Sequence, residues 1–208
     1  MQAPSVTTLS RQAWRAIFGL GITQIVGWGS TYYLMSLMGS RIGNDLGLSN
    51  GMLMAGVSLT LGCAAIIGPF VGRWQDRAGS RVVMTTGSLI MAVGLVLLSQ
   101  AQSWFMFYAS WIVIGIGSPM ALYSASFTAL TQIAGKGSRR AISYLTFMGG
   151  LASTISWPLT AWLMTFMEWR SIVLLFAGLN FLLCAPLHFT CLTRAIIDLS
   201  TADESTIV

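Results

Sequence analysis

The sequence predicts an all-α membrane protein whose six transmembrane helices form two inverted three-helix repeats. The prediction depends on the composition, on six long apolar runs and on an internal repeat. Of the 208 residues, 55% are hydrophobic and only 8% are charged. Soluble domains carry about 25% charged residues, so this chain has too few charges to cover a water-facing surface. We therefore expect most of its outer surface to contact the lipid bilayer.

Six apolar runs are separated by charged residues and turn formers. They cover residues 16–38, 52–71, 82–99, 104–133, 141–166 and 172–192. Each run can cross a hydrocarbon core of about 30 Å at a rise of about 1.5 Å per residue. Backbone groups in lipid must be paired within their own segment, which predicts a helix for each run. The chain then divides into a cytoplasmic tail (1–15), a transmembrane bundle (16–192) and a polar tail (193–208).

The basic residues predict the orientation of the bundle. Six spans place both termini on one side of the membrane, together with Arg11, Arg15, Arg73, Arg77, Arg81, Lys136, Arg139, Arg140 and Arg194. Only Arg41 and Arg170 fall on the opposite side, near Asp45 and Glu168. Cytoplasmic loops are enriched in Lys and Arg, so we expect an inner-membrane protein with both termini cytoplasmic. The basic residues form no stripe of the kind that binds nucleic acid.

The internal repeat has an offset of 88–89 residues. The matching features are Gly27-Trp28-Gly29-Ser30 with Gly115-Ile116-Gly117-Ser118, Pro69 with Pro158, and Arg81 with Arg170. In this comparison Pro69 closes the second span and Pro158 breaks the fifth. Each unit holds three spans, an odd number, so the second unit must be inverted relative to the first. Inverted three-helix repeats are found in transporters.

The turn between the second and third predicted spans carries a recognisable motif. It runs Gly72-Arg73-Trp74-Gln75-Asp76-Arg77-Ala78-Gly79-Ser80-Arg81. This segment resembles the signature loop of the major facilitator superfamily, Gly-x-Leu-x-Asp-Arg-x-Gly-Arg-Arg. The positions that fit the pattern are Gly72, Asp76, Arg77, Gly79 and Arg81. Trp74 replaces the usual leucine, and Ser80 replaces a basic residue.

The resemblance implies half of a twelve-span secondary transporter, which moves a small solute by alternating access and is not an enzyme. In the family the acid that matches Asp76 latches the two halves together on the cytoplasmic side. Gly72 and Gly79 would permit a tight turn and close helix contact. The partner of this latch would belong to a second six-helix half, supplied by a missing C-terminal half, a separate subunit or a second copy. The acidic tail after Leu192 resembles the start of the linker between two halves.

Two departures from the family pattern weaken an inference of proton antiport. Trp111 stands where many proton-coupled members carry an arginine, four residues before Gly115. Trp157-Pro158 stands where exporters carry Gly-Pro. No Asp, Glu, Lys or Arg lies well inside any predicted span, although such charges usually mark proton relays. We therefore expect coupling residues in the second half, or facilitated transport.

The first and fourth spans are expected to line a substrate cavity. Gln24, Trp28 and Thr31 recur at i, i+4 and i+7, so they share one face of a helix. Tyr32 and Tyr123 add rings and hydroxyls that suit a small polar or amphipathic solute. The alternative is that these side chains form interhelical hydrogen bonds and an aromatic belt at the membrane interface.

Other interpretations of the chain are weaker. Cys184, His188 and Cys191 share a helix face and could bind a soft metal. Cysteine also behaves as a small apolar residue, and His188 is expected near the cytoplasmic end, in reach of water or phosphates, so we predict no metal and no cofactor. No catalytic constellation is visible. The functional alternatives are a non-transporting membrane assembly protein and an inactive truncated fragment of a twelve-helix transporter.

Overall fold

The computed structural model describes residues 9–192, which form helices without a strand. The helices are α1 (Arg11–Trp28), α2 (Leu34–Leu46), α3 (Asn50–Ala78), α4 (Ser80–Ser99), α5 (Trp104–Ala121), α6 (Tyr123–Ala134), α7 (Ser138–Leu163), α8 (Trp169–Leu179) and α9 (Ala185–Cys191). Two π-helical turns, Gly29–Tyr33 and Asn180–Cys184, join α1 to α2 and α8 to α9, and a 3₁₀ turn, Gly135–Gly137, joins α6 to α7. The predicted tail 193–208 lies outside the described residues.

Four stretches among the described residues are long and apolar enough to cross a membrane. They are Asn50–Ala78, Ser80–Ser99, Trp104–Leu163 and Trp169–Cys191. The third is 60 residues long and covers the predicted fourth span and all but the last three residues of the predicted fifth span. The stretch of α1 and α2 is not among the four, because polar side chains such as Gln24 and Thr31 interrupt its apolar residues. The all-helical membrane class is confirmed, whereas the six-span arrangement and its inverted repeats stay predictions.

Serine side chains set the start of three helices. Ser10, Ser49 and Ser103 each accept a hydrogen bond from the backbone N–H three residues later, at 3.1–3.4 Å. Such N-caps satisfy donors that the first helical turn leaves unpaired. Because of the Ser10 cap, α1 begins at Arg11 rather than at residue 16.

The buried core consists of two main clusters. One joins α2, α4, α5 and α8 around Phe107, Trp111 and Phe176. The other joins α1, α4, α6 and α7 around Leu20, Met84 and Leu145. Trp111, at the position where an arginine would indicate proton coupling, is fully buried. This indole therefore serves as core packing between α5 and the helices around it.

The second predicted span does not close at Pro69. α3 continues through Pro69 to Ala78, so its final turns extend past the predicted end at residue 71. A proline removes one backbone hydrogen bond, but membrane helices tolerate this loss without ending.

One side of α3 has no neighbour among the described residues. Of the residues in its most apolar stretch, 17% are buried. The corresponding share in the other three candidate spans is 44–61%. The small exposed residues on this side are Ala55, Ser58, Gly62, Ala65 and Pro69, which are spaced by three and four positions. We call these five residues the open α3 face. A Cβ atom added at Gly62 would meet nothing within 4 Å.

Candidate functional site

The helix predicted for residues 104–133 is interrupted near its middle. Leu122 separates α5 from α6 and has an extended backbone, with φ −91° and ψ −160°. Pro119 lies three residues earlier and has no N–H to continue the helical ladder. The amide of Gln24 compensates for the break, because its Nε2 donates to the carbonyl of Ala121 at 3.1 Å.

The first span is interrupted at the corresponding place. After Gly27-Trp28, the chain forms the π-helical turn Gly29–Tyr33 before α2 begins. The first interruption thus begins within the first copy of the Gly-x-Gly-Ser motif, and the second lies four residues after the second copy. A Cβ atom at Gly27 would lie 2.6 Å from Cδ2 of Leu122, so the two interruptions pack closely together at this glycine. Short π-helical turns are frequent at functional sites.

A cavity of about 230 Å³ opens where the two interruptions meet. It is lined by Trp28, Tyr32, Ala64, Gly68, Ser118, Pro119, Leu122, Tyr123 and Ser124. The ring of Trp28 lies 4.8 Å from that of Tyr32 and 5.5 Å from that of Tyr123, centre to centre. The buried Nε1 of Trp28 has no hydrogen-bond partner among the described residues. The cavity thus offers aromatic faces and hydroxyls.

The structure brings together three of the five predicted cavity residues. Trp28, Tyr32 and Tyr123 line the cavity, whereas Gln24 and Thr31 are fully buried outside its lining. The Gln24 amide also donates to the Ser126 hydroxyl at 2.9 Å. Thr31 departs from the predicted common face because the π-helical turn changes the helical phase before it, and its hydroxyl donates to its own helix. Contact between these residues and a solute stays a prediction.

The signature segment is mostly helix and not a loop. Residues 72–78 belong to α3, and Gly79 alone separates α3 from α4. Gly79 has φ +82°, a conformation that favours glycine. Gly72 is helical, and a Cβ atom there would meet nothing within 4 Å, so its predicted close helix contact is absent from residues 9–192. We call residues 72–81 the signature turn.

The charged residues of the signature turn differ in their surroundings. Asp76 and Arg77 are exposed. Asp76 has no hydrogen bond or ion pair within the described part of the chain. Arg81 is held instead, because its guanidinium stacks on the ring of Phe189 in α9 at 3.6 Å. The carboxylate of Asp76 is therefore available to a partner.

A buried hydrogen-bond network fixes the signature turn, and the sequence analysis missed it. Gln75 is 1% exposed, and its Nε2 donates to the Ser80 hydroxyl and to the Ala125 carbonyl, both at 2.8 Å. Ser80 in turn donates to Oε1 of Gln132 at 2.7 Å. The signal in the sequence was Ser80, which stands where the family pattern has a basic residue. A hydroxyl at this position can be buried, whereas a charged side chain would favour exposure.

An ion pair lies at the opposite end of the bundle. Arg170 binds Asp45, and the Trp169 Nε1–H donates to the same carboxylate at 3.1 Å. In the sequence Arg41 lies near Asp45 and Arg170 lies near Glu168, which suggested these two pairs. In the structure Arg41 donates to the Met164 carbonyl instead. The hydrogen bond from Arg170 lowers the pKa of Asp45 below its ordinary value.

The cysteine and histidine side chains of the last span are buried by neighbouring helices. Cys184 and His188 are each 1% exposed, so the predicted access of His188 to water or phosphates is wrong. The residues from 9 to 192 contain no group of three His, Cys, Asp or Glu side chains that could hold a metal ion.

These features define a helical membrane protein with interrupted helices around a small cavity. The chain belongs to the Major Facilitator Superfamily, whose family model matches residues 20–201. The resemblance noted in the signature turn is thereby confirmed.

Two curated proteins are similar to this chain. The transcription regulatory protein OpdE of Pseudomonas aeruginosa is 22% identical over 158 residues, which are 76% of this chain and 39% of that protein. The multidrug resistance protein MdtL of Klebsiella pneumoniae is 31% identical over 127 residues, 61% of this chain and 31% of that protein. The matched region thus spans less than half the length of either relative.

Proposed function

We propose that this chain forms one six-helix half of a secondary transporter and moves a small solute by alternating access. The observation that carries the proposal is the meeting of two interrupted helices at an aromatic-lined cavity. In a membrane, irregular backbone is tolerated where it is buried in protein or lines a cavity. Discontinuous helices form substrate sites in several transporter folds. Membership of the superfamily supports the same conclusion.

The proposed solute is small and either polar or amphipathic. The lining contains no charged side chain, so a strongly charged solute would find no counter-charge in this half. Trp28, Tyr32 and Tyr123 offer ring faces to an apolar part of the solute, and the hydroxyls of the lining suit its polar atoms. Gln24 acts indirectly by holding the helix break in place.

The second half is proposed to dock on the open α3 face. Small residues allow membrane helices to approach closely, and nothing in the described residues covers Gly62. Asp76, at the end of the same helix, would form the latch with that half. We also propose, from the bias of the basic residues, that the signature turn and both termini are cytoplasmic and that the protein lies in the inner membrane. A C-terminal half, a separate subunit and a second copy remain the possible sources.

A non-transporting assembly protein is the second candidate. It is favoured by Gln24, whose amide joins α1 to the α5–α6 break and does not line the cavity. In that case substitution of Trp28 by leucine would impair assembly with a partner, and transport would be absent from the start.

Solute binding provides the test. A panel of small polar and amphipathic solutes is screened for thermal stabilisation of the purified protein, and hits are assayed for uptake into proteoliposomes. A genuine substrate stabilises the wild type and loses this effect in Trp28→Ala, which removes an aromatic ring from the cavity lining. Trp104→Ala is the control, because Trp104 is 59% exposed and is not among the residues that line the cavity. Equal loss in both variants, or the absence of any bound and transported solute, would contradict the proposal.

A further inference from the structure

A groove lies between the ends of α1 and α9, which we call the α1–α9 groove. It has a volume of about 340 Å³ and is lined by Arg11, Gln12, Arg15, Thr190 and Cys191. A Cβ atom added at Gly19, one turn along α1 from Arg15, would lie 2.8 Å from Sγ of Cys191. The two helices are therefore in contact directly below the groove. Stacking of Arg81 on Phe189 places the groove at the same end of the bundle as the signature turn.

The α1–α9 groove is basic. Arg11 and Arg15 are both exposed, and neither side chain has a hydrogen bond, an ion pair or a ring contact within the described part of the chain. The described residues that line the groove include no carboxylate. Side chains at i and i+4 of a helix start roughly 6 Å apart, so both guanidinium groups can reach one small anion. The planar fork of N–H donors in arginine matches the oxygen atoms of a phosphate group.

Aromatic side chains beside the groove indicate its depth in the bilayer. Trp14 lies between the two arginines in the sequence and packs on Tyr144 of α7, with ring centres 5.1 Å apart. Both rings are exposed. Trp and Tyr are enriched at the level of the lipid headgroups. The arginines next to Trp14 are therefore expected at the level of the lipid phosphates.

The face of α1 that carries the arginines continues as an apolar surface. Phe18 and Ile22 follow Arg15 at steps of three and then four residues, so they share its side of the helix. Phe18 is 55% exposed and Ile22 is 40% exposed. A free phosphate ion would use only the basic end of this face. A phospholipid would use both parts, because its headgroup is anionic and its acyl chains are apolar.

The groove lining favours a headgroup without a positive charge. Choline and ethanolamine headgroups carry a cation beside the phosphate, and the described lining has no carboxylate to pair with it. The two arginines would repel such a cation. A headgroup that joins one phosphate to a neutral alcohol meets no such repulsion. Basic pockets between membrane helices are known to bind anionic lipid headgroups.

We propose that the α1–α9 groove binds one anionic phospholipid, with its phosphate between Arg11 and Arg15 and its acyl chains along Phe18 and Ile22. This site shares no lining residue with the aromatic cavity. The proposal therefore does not depend on the proposed transport. The bound lipid joins the end of α1 to the end of α9 and stabilises their contact at Gly19.

Native mass spectrometry of the full-length protein in detergent tests the proposal. The protein is titrated with dioleoylphosphatidylglycerol and, separately, with dioleoylphosphatidylcholine, which has the same acyl chains and a zwitterionic headgroup. The occupancy of the first bound lipid gives its Kd. We expect the phosphatidylglycerol to bind more tightly. The double variant Arg11→Gln/Arg15→Gln should weaken its binding about 30-fold, because each basic residue near the membrane surface contributes about fivefold.

The double variant Lys136→Gln/Arg139→Gln is the matched control. It removes two charges at the same end of the bundle, since Leu9, just before α1, contacts the turn at Gly137. Both side chains are exposed and do not line the groove, so this variant should keep most of the affinity. The double variant Arg11→Lys/Arg15→Lys preserves the charges of the groove and should lose less affinity than the glutamine variant.

Three results would overturn the proposal. Equal losses in the two glutamine variants would mean that the lipid responds only to the overall charge of this end. Equal affinity for the two lipids would remove the selectivity for an anionic headgroup. Displacement of the phosphatidylglycerol by an equal concentration of inorganic phosphate would assign the groove to a free anion. None of these measurements involves a transported solute, so each result leaves the proposed transport standing.

Discussion

Gln24 connects three helices through one amide group. Its Nε2 satisfies the carbonyl of Ala121 at the α5–α6 break and the hydroxyl of Ser126. Gln24→Leu would leave buried polar groups unpaired, at a cost of roughly 1–3 kcal/mol. We expect a lower thermal unfolding midpoint in detergent. Gln102→Leu, in an exposed turn, should leave the midpoint unchanged, and equal effects at both positions would show that the amide does not hold the break.

Asp45 gives the protein an acid-dependent contact outside the spans. The bond from Arg170 lowers its pKa when folded, so the contact stabilises the protein above the unfolded carboxyl pKa of about 3.9. This contribution is lost as the pH falls through the lower folded value. Asp45→Asn should therefore lower the unfolding midpoint equally at pH 5 and 7, by an amount that shrinks below about pH 4. Glu168→Gln is the control, and a difference independent of pH would contradict the pairing.

Residue types were a better guide than residue spacing to the side chains that line the cavity. Trp28, Tyr32 and Tyr123 line it together, because bulky amphipathic rings on two interrupted helices can fill a shared space, and their contact with a substrate stays a prediction. Gln75 could not be found in this way. It precedes an exposed acid in the signature turn, and only the approach of α6 shows that its amide is buried.

At the level of elements, Gly79 and Gly72 form a natural pair for comparison. Gly79 has φ +82°, so Gly79→Ala should destabilise the turn by roughly 1–3 kcal/mol. Gly72 is helical with open space around it, so Gly72→Ala should be neutral or stabilising by up to about 1 kcal/mol. Thermal unfolding of both variants checks this. Similar losses would mean that the two positions have similar backbone requirements.

Helix positions followed from hydrophobicity, but helix interruptions did not. Pro69, Pro119 and Pro158 all lie within helices, yet the chain becomes extended only after Pro119. A missing N–H is thus insufficient to break a membrane helix. The break at Leu122 is also packed closely against Gly27 and compensated by the amide of Gln24, contacts about a hundred residues away that no local pattern contains.

For the whole molecule, composition was enough to predict the membrane class, and the signature turn was enough to predict the family. The open α3 face adds a prediction about assembly. A photo-cross-linking amino acid at Gly62 should link the chain to a polypeptide in native membranes. The same amino acid at Leu182, which is 73% exposed on the last span, should link only to lipid. Identical adducts at both positions would show that the open α3 face contacts lipid.

α6 spans the distance between the two regions that matter most for function. Tyr123 at its start lines the cavity, while Ala125 and Gln132 hold the signature turn through Gln75 and Ser80. A twelve-residue helix is a stiff strut about 18 Å long. Displacement of Tyr123 by an arriving solute would be transmitted along this strut to the turn that carries Asp76. Occupancy of the cavity and engagement of the two halves would then be mechanically linked within a single helix.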